Sequence, residues 1–178
     1  MKANVFTSAF IVLLTLISCN SEPSLQKYFV ENTENKDFIT LDVSPSILNV
    51  DKTKLSPEQT EALNSFDKMN ILAFKTNDKN QAQFEQESAK VKSLLKNPKY
   101  QELMKVGSGK DGASVSFVGT DENIEEFVIF ANRKENGFAV VRVLGKNMNP
   151  NNIMTLMSVL KKSNIDMEQL KPLQQLVK

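Results

Sequence analysis

The chain has no histidine and no tryptophan, a single cysteine at Cys19, and arginine only at Arg133 and Arg142. Each scarcity removes a class of chemistry. Without histidine there is no Ser-His-Asp triad, no Cys-His dyad, no imidazole metal ligand, and the commonest general base is missing. One cysteine cannot close a disulfide within the chain, so the fold has to rest on apolar burial, which a chain of this length can supply. Two guanidinium groups leave few candidates for bidentate phosphate recognition. The 22 basic and 21 acidic side chains nearly cancel, to a net charge of +1, so the basic excess that marks a nucleic-acid surface is absent. No cofactor, metal, nucleotide or nucleic acid is expected. An enzyme built on carboxylates or lysine is the weakest reading, because no spacing of those residues points to it.

What the chain does have is a distinctive start. Lys2 precedes Val5 to Ile17, a stretch that is apolar except for Thr7, Ser8 and Thr15. It is too short for a comfortable membrane span, which needs about 20 apolar residues, and it fits the apolar core of a signal peptide. It closes on Leu16-Ile17-Ser18-Cys19, the spacing of a lipobox. The expected lipidation site is Cys19, since a thiol is nucleophilic enough to take a diacylglyceryl group as a thioether. Cleavage before Cys19 then exposes an amine for further acylation. Each buried methylene contributes about 0.8 kcal/mol and one chain anchors only marginally, so two or three chains on one residue make the hold lasting. Asn20 is not the aspartate that retains enteric lipoproteins in the inner membrane, and Ser21-Glu22-Pro23 is not an acidic export run. The outer membrane, facing the periplasm, is the expected location, with membrane lipid and another envelope protein as partners.

The expected organisation is a signal peptide at 1–18, a lipidated cysteine with a short tether at 19–23, and one domain at 24–178. The tether reaches about 15 Å at full extension. Ser24 caps a helix through about Asn32. Phe38 to Val43 alternates as a strand, and Ser46 to Val50 suits one helical turn. Ser56-Pro57-Glu58-Gln59 opens a helix with a capping box, whose buried stripe is Ala62, Leu63 and Phe66. Met69 to Lys75 is apolar on both faces and reads as an inner strand. Asp78 is the expected cap of the longest helix, through about Lys96, with Phe84, Val91 and Leu95 inward and Glu85, Glu87, Lys90 and Lys92 on a solvated face. Asn97-Pro98 ends it.

Four strands follow, at Gln101 to Val106, Ala113 to Val118, Ile124 to Asn132 and Phe138 to Leu144, with Asn136-Gly137 as a hairpin signal. Asn149-Pro150 starts a helix carrying Ile153, Leu156, Met157 and Leu160. Asp166 opens a last segment, which Pro172 breaks near Lys171. Early helices and a late antiparallel sheet together give a single α+β domain, with helices packed on one face of a mostly antiparallel sheet. A ferredoxin-like variant follows if the strand near Met69 joins that sheet through a helical crossover.

Three features tempt a functional reading. Gly107-Ser108-Gly109-Lys110-Asp111-Gly112 matches G-x-G-x-x-G, but a phosphate loop must open a helix and this one leads into the alternating Ala113 to Val118. A hairpin connection is the better reading. Asp121, Glu122, Glu125 and Glu126 could hold calcium, yet lack the ligand pattern of an EF-hand loop, so a solvated turn is expected. Arg142 interrupts an otherwise apolar strand. It is either a functional cation in a groove, paired with an acid such as Asp42, or an edge or solvent-facing residue, and the second reading is preferred.

The lipobox, Ser24-Leu25-Gln26-Lys27-Tyr28-Phe29, Phe38-Ile39-Thr40-Leu41-Asp42-Val43 and Asn70-Ile71-Leu72-Ala73-Phe74-Lys75 resemble a family of Bacteroidota lipoproteins, the domain of unknown function 4252. The resemblance implies an envelope lipoprotein of that phylum and carries over no catalytic residue. The leading expectation is a membrane-anchored envelope lipoprotein acting as a non-catalytic binding or structural module. An accessory of an envelope-stress or sigma-factor pathway is the alternative.

Overall fold

Hydroxyl caps set the first two helices. In the computed structural model, which describes residues 22–47, 51–108 and 111–162, the Lys27 amide donates to Ser24 Oγ at 3.2 Å and opens α1 (Leu25–Asn32). The Gln59 amide donates to Ser56 Oγ at 3.2 Å, and the Ser56 amide to Gln59 Oε1 at 3.1 Å, closing a full capping box on α2 (Pro57–Ser65). Two expected details change. Phe66 is no part of the helical stripe; it turns extended and begins β2. Asp78 caps nothing, because α3 (Gln81–Leu94) starts after Asn80. The Asn80 side chain ties the preceding turn instead, accepting from the Asn77 amide at 2.6 Å and donating to the Lys75 carbonyl at 3.1 Å. Pro45–Ile47 forms a short 3₁₀ turn, and the rest of the turn expected there lies outside the described residues. So do Cys19 with its lipobox, Gly109-Lys110, and the C-terminal segment with Asp166 and Pro172.

The strands are β1 (Phe38–Val43), β2 (Phe66–Lys75), β3 (Gln101–Ser108), β4 (Asp111–Thr120), β5 (Asn123–Arg133) and β6 (Gly137–Met148), followed by α4 (Pro150–Lys162). They form one six-stranded sheet in the order β1-β2-β6-β5-β4-β3, and every neighbouring pair is antiparallel. The expected α+β architecture is present, with β2 as an inner strand. The crossover is also present, since α3 links β2 to β3. Three strands stand between those two, so the ferredoxin-like variant gives way to a meander that returns β6 to β2.

Helices cover both faces of the sheet rather than one. Leu72 and Phe74 of β2, Phe138 and Val140 of β6, and Val128 and Phe130 of β5 pack with Leu25, Tyr28 and Phe29 of α1 and Phe84 and Val91 of α3. Met69 and Ile71, Val143, and Phe127 point the other way and pack with Leu63 of α2 and Ile153 and Leu156 of α4. The cause is visible in β2 and β6, whose successive residues are apolar in both directions. A strand apolar on each side needs a cover on each side.

The β5–β6 hairpin turns through Lys134 to Asn136, and Gly137 follows with φ +118°. A Cβ built there would sit 1.8 Å from the Phe74 carbonyl oxygen of β2. Gly137→Ala is therefore expected to cost at least about 1–3 kcal/mol from backbone strain alone. A urea titration checks this; an unchanged midpoint would show that the turn re-forms without loss.

Candidate functional site

The first feature is a polar seam on the face covered by α1 and α3. Arg142 pairs in register with Val128 of β5 and Asn70 of β2, and Glu126 pairs with Leu144. Arg142 and Glu126 are thus diagonal neighbours on one face, within reach of long side chains. Arg142 Nε donates to Glu126 Oε1 at 2.6 Å, with the two side chains only 8% and 11% exposed. The guanidinium carbon lies 5.5 Å from the Phe29 ring centroid, so α1 caps the charge with an aromatic face. The preferred edge or solvent-facing reading of Arg142 does not hold; Arg142 lines a hollow together with Asp42, but Asp42 is not its ion-pair partner. Arg142 is buried in the sheet interior, and its acid is Glu126, because Asp42 accepts a hydrogen bond from the Asn70 side-chain amide.

Glu126 was hidden in the acidic run that reads as a solvated turn. Asp121, Glu122 and Glu125 are exposed, as expected, and Glu126 is not. The register with β4 shifts here, with Val118 opposite Glu126 and Gly119 opposite Ile124, so β5 carries one residue more than β4. Ile124 consequently packs in the α2/α4 core, while Glu126 enters the opposite side. Straight alternation would have put both on one face, so the bulge is what masks the pair.

Two buried phenols flank the same face. Tyr100 is buried, and its hydroxyl has no hydrogen-bond partner among the described residues. Burial pushes its pKa up to about 12, the nearby Glu126 carboxylate adds to the rise, and Arg142 opposes it. The Tyr28 hydroxyl donates to Glu87 Oε2 at 2.8 Å, and Lys90 donates to Glu87 Oε1 at 2.6 Å. Glu87 is thus tied to α1 rather than part of a plain solvated face. Burial, then the hydrogen bond to Glu87 and its charge, hold Tyr28 far above the ordinary phenol range. These are the chain's only tyrosines, so phenolate absorbance reads nothing else. The folded protein is expected to titrate well above 10, and the urea-unfolded chain near 10. Above pH 10 the unfolded state releases protons that the folded state keeps, so stability falls as pH rises from there. A folded-state titration at 10 would contradict the burial of both rings.

Beside Tyr100, a cavity of about 300 Å³ opens between the end of α3 and β3–β4, lined by Ser114, Ser116, Phe130 and the side chains of Lys92, Lys96 and Lys105. Lys92 Nζ lies 5.9 Å from the Phe130 centroid.

The second feature is the opposite face of the sheet. α2 and α4 gather over Phe117, Phe127, Val143, Met69 and Val43. Beyond that row the register places Met104, Val115, Ile129, Val141, Ile71 and Leu41 side by side, then Val106, Ala113, Ala131, Ala139, Ala73 and Ile39. Both rows are wholly apolar. Ile71 and Ala73 are buried, most of the others are half-buried, and Ala131, Met104 and Val106 are exposed. A hollow of about 510 Å³ lies over Val106, Ala113, Ala131 and Ala139. Contiguous apolar surface of this kind marks an interaction site more often than chance exposure does.

The glycine-rich motif joins β3 to β4, with Gly107 opposite Gly112 and Ser108 opposite Asp111. It leads into a strand, as expected, and offers no helix N-terminus to an anion. Among the described residues no three His, Cys, Asp or Glu side chains gather to hold a metal ion, and no helix is long and apolar enough to cross a membrane. What the geometry offers is a fixed, neutralised charge pair inside one face and an open apolar surface on the other.

No curated protein and no solved structure shows significant similarity to the chain. The pattern of the domain of unknown function (DUF4252) matches residues 28–156, a span that takes in all six strands, both interior faces and the Arg142–Glu126 pair. The chain belongs to the DUF4252 family.

Proposed function

We propose that this protein is an envelope lipoprotein of a Bacteroidota bacterium, anchored through lipid on Cys19 at the periplasmic side of the outer membrane, and that it works as a binding module rather than as an enzyme. The lipobox supports the anchor, and Asn20 to Pro23 alone separate it from the Ser24 cap of α1. The domain then rides close to the bilayer. The observation that carries the binding role is the pair of apolar rows on the α2/α4 face, which suit another envelope protein better than a small polar substrate. The buried charges serve the fold, since Arg142 and Glu126 neutralise each other.

Labelling with palmitate tests the anchor. The wild-type chain is expected to take label and fractionate with membranes, and Cys19→Ala to lose both. Label retained on the substituted chain would place the acyl group elsewhere. Photo-crosslinking in cells tests the binding surface. A probe at Ile129 or Val141 is expected to trap one reproducible envelope protein, while a probe at exposed Met154 of α4 traps none. Equal, scattered crosslinking from all three would remove the binding role.

A further inference from the structure

We infer that the outer edge of β3 is a self-pairing surface, and that two copies of this chain join there into a continuous twelve-stranded sheet. β3 closes the sheet on one side, so its outer row of backbone amides and carbonyls has no strand partner among the described residues. Every residue from Gln101 to Gly107 is exposed, and Leu103, Met104 and Val106 are 42%, 53% and 55% exposed. An apolar edge of this length is a template for another strand.

Charge selects the occupant. Edges are usually protected by a lysine or a bulge, and β3 has both, Lys105 and the register shift at Leu103. The shift matters, because it skips Leu103 in the ladder: Glu102 lies opposite Ser116, Met104 opposite Val115, and Lys105 opposite Ser114. Glu102 and Lys105 therefore stand two ladder steps apart on the same face, with Met104 midway on the other. A second β3, turned antiparallel about a two-fold axis at Met104, sets Glu102 of each copy opposite Lys105 of the other. Both charges are answered twice, and the lysine that would repel a foreign edge becomes a recognition element. On the other face Met104 meets its own copy, and Val106 lies opposite Gln101. Such an interface is isologous and closes at two subunits. The axis is perpendicular to the sheet, so α1 lies on the same side in both copies. Two anchored chains could thus pair on one membrane without either tether crossing the sheet.

Sedimentation velocity on the full-length chain in mild detergent, over a range of concentrations, tests this. The wild-type chain is expected to dimerise reversibly. Glu102→Lys and Lys105→Glu each turn two attractive pairs into two repulsive ones and are expected to weaken association by about tenfold or more. The double variant Glu102→Lys/Lys105→Glu regains the dimer, and so does an equimolar mixture of the two single variants, in which both cross-pairs are again opposite in sign. All these positions are exposed, and rescue by mixing shows that each variant is folded. A wild-type chain that stays monomeric throughout overturns the inference. So does a dimer indifferent to both reversals, which would place the contact on the apolar face instead.

Discussion

Arg142→Ala is expected to destabilise the protein by about 3–5 kcal/mol, the usual cost of removing one partner from a buried ion pair. The loss comes less from the missing attraction than from what remains. Glu126 would be left in a nearly closed site without its cation, close to the Tyr100 phenol. The paired variant Arg142→Met/Glu126→Leu replaces both charges with apolar side chains of similar volume. It is expected to recover most of the loss, because neither desolvation penalty is then incurred. Urea unfolding of the three proteins checks this. If the double variant proved less stable than Arg142→Ala, the pair would be stabilising the fold outright and the desolvation argument would fail.

Phe74→Ala is expected to cost a similar amount, about 3–5 kcal/mol, by a different route. Phe74 is fully buried within an aromatic group. Its ring stacks on Phe138 of β6, with centroids 5.7 Å apart and planes 8° from parallel, and meets the edge of Phe38 of β1 at 5.3 Å. Phe38 also meets Phe138 edge-on at 6.1 Å. Three strands are thus tied through one side chain, and its removal leaves a cavity that those sheet-bound neighbours cannot readily fill. Phe74→Leu keeps part of the volume and is expected to lose appreciably less. Ordinary domains are stable by about 5–15 kcal/mol, so the alanine variant should unfold at a much lower urea concentration. A shift equal to that of an exposed position such as Val30→Ala would show that the ring is not central.

Local signals in the chain fix the starts of two helices. Ser24 and Ser56 announced their helices because a hydroxyl beside an open amide needs no distant partner. Phe38 to Val43 was readable for the same reason: its alternation and the break at Ser44-Pro45 lie within a few residues. Strand ends were less readable, since β6 runs on past Leu144 to Met148, held there by Gly145 against Phe66 of β2 and by Met148 against Ile124 of β5 across a register shift. Asp78 read as the cap of α3, but the helix starts after Asn80, whose side chain ties the turn back to the Lys75 carbonyl at the end of β2.

The functional surfaces divide in the same way. The proposed anchor at Cys19 rests on a linear signal, legible because an enzyme would read it from an extended segment. The Arg142–Glu126 pair is not linear. It depends on one extra residue in β5, and a single-residue slip moves every following side chain to the other face. The two open apolar rows were equally invisible, because each takes one residue from six strands and exists only once the order β1-β2-β6-β5-β4-β3 is set. The placement of helices on both faces followed from that order as well. Composition and short-range pattern thus established the class of fold and the caps at Ser24 and Ser56, and carry the proposal of a lipid-bearing end, all of which depend on neighbours in the chain. Register, bulges and the choice of face depend on residues far apart in sequence, and only the assembled sheet brought those together.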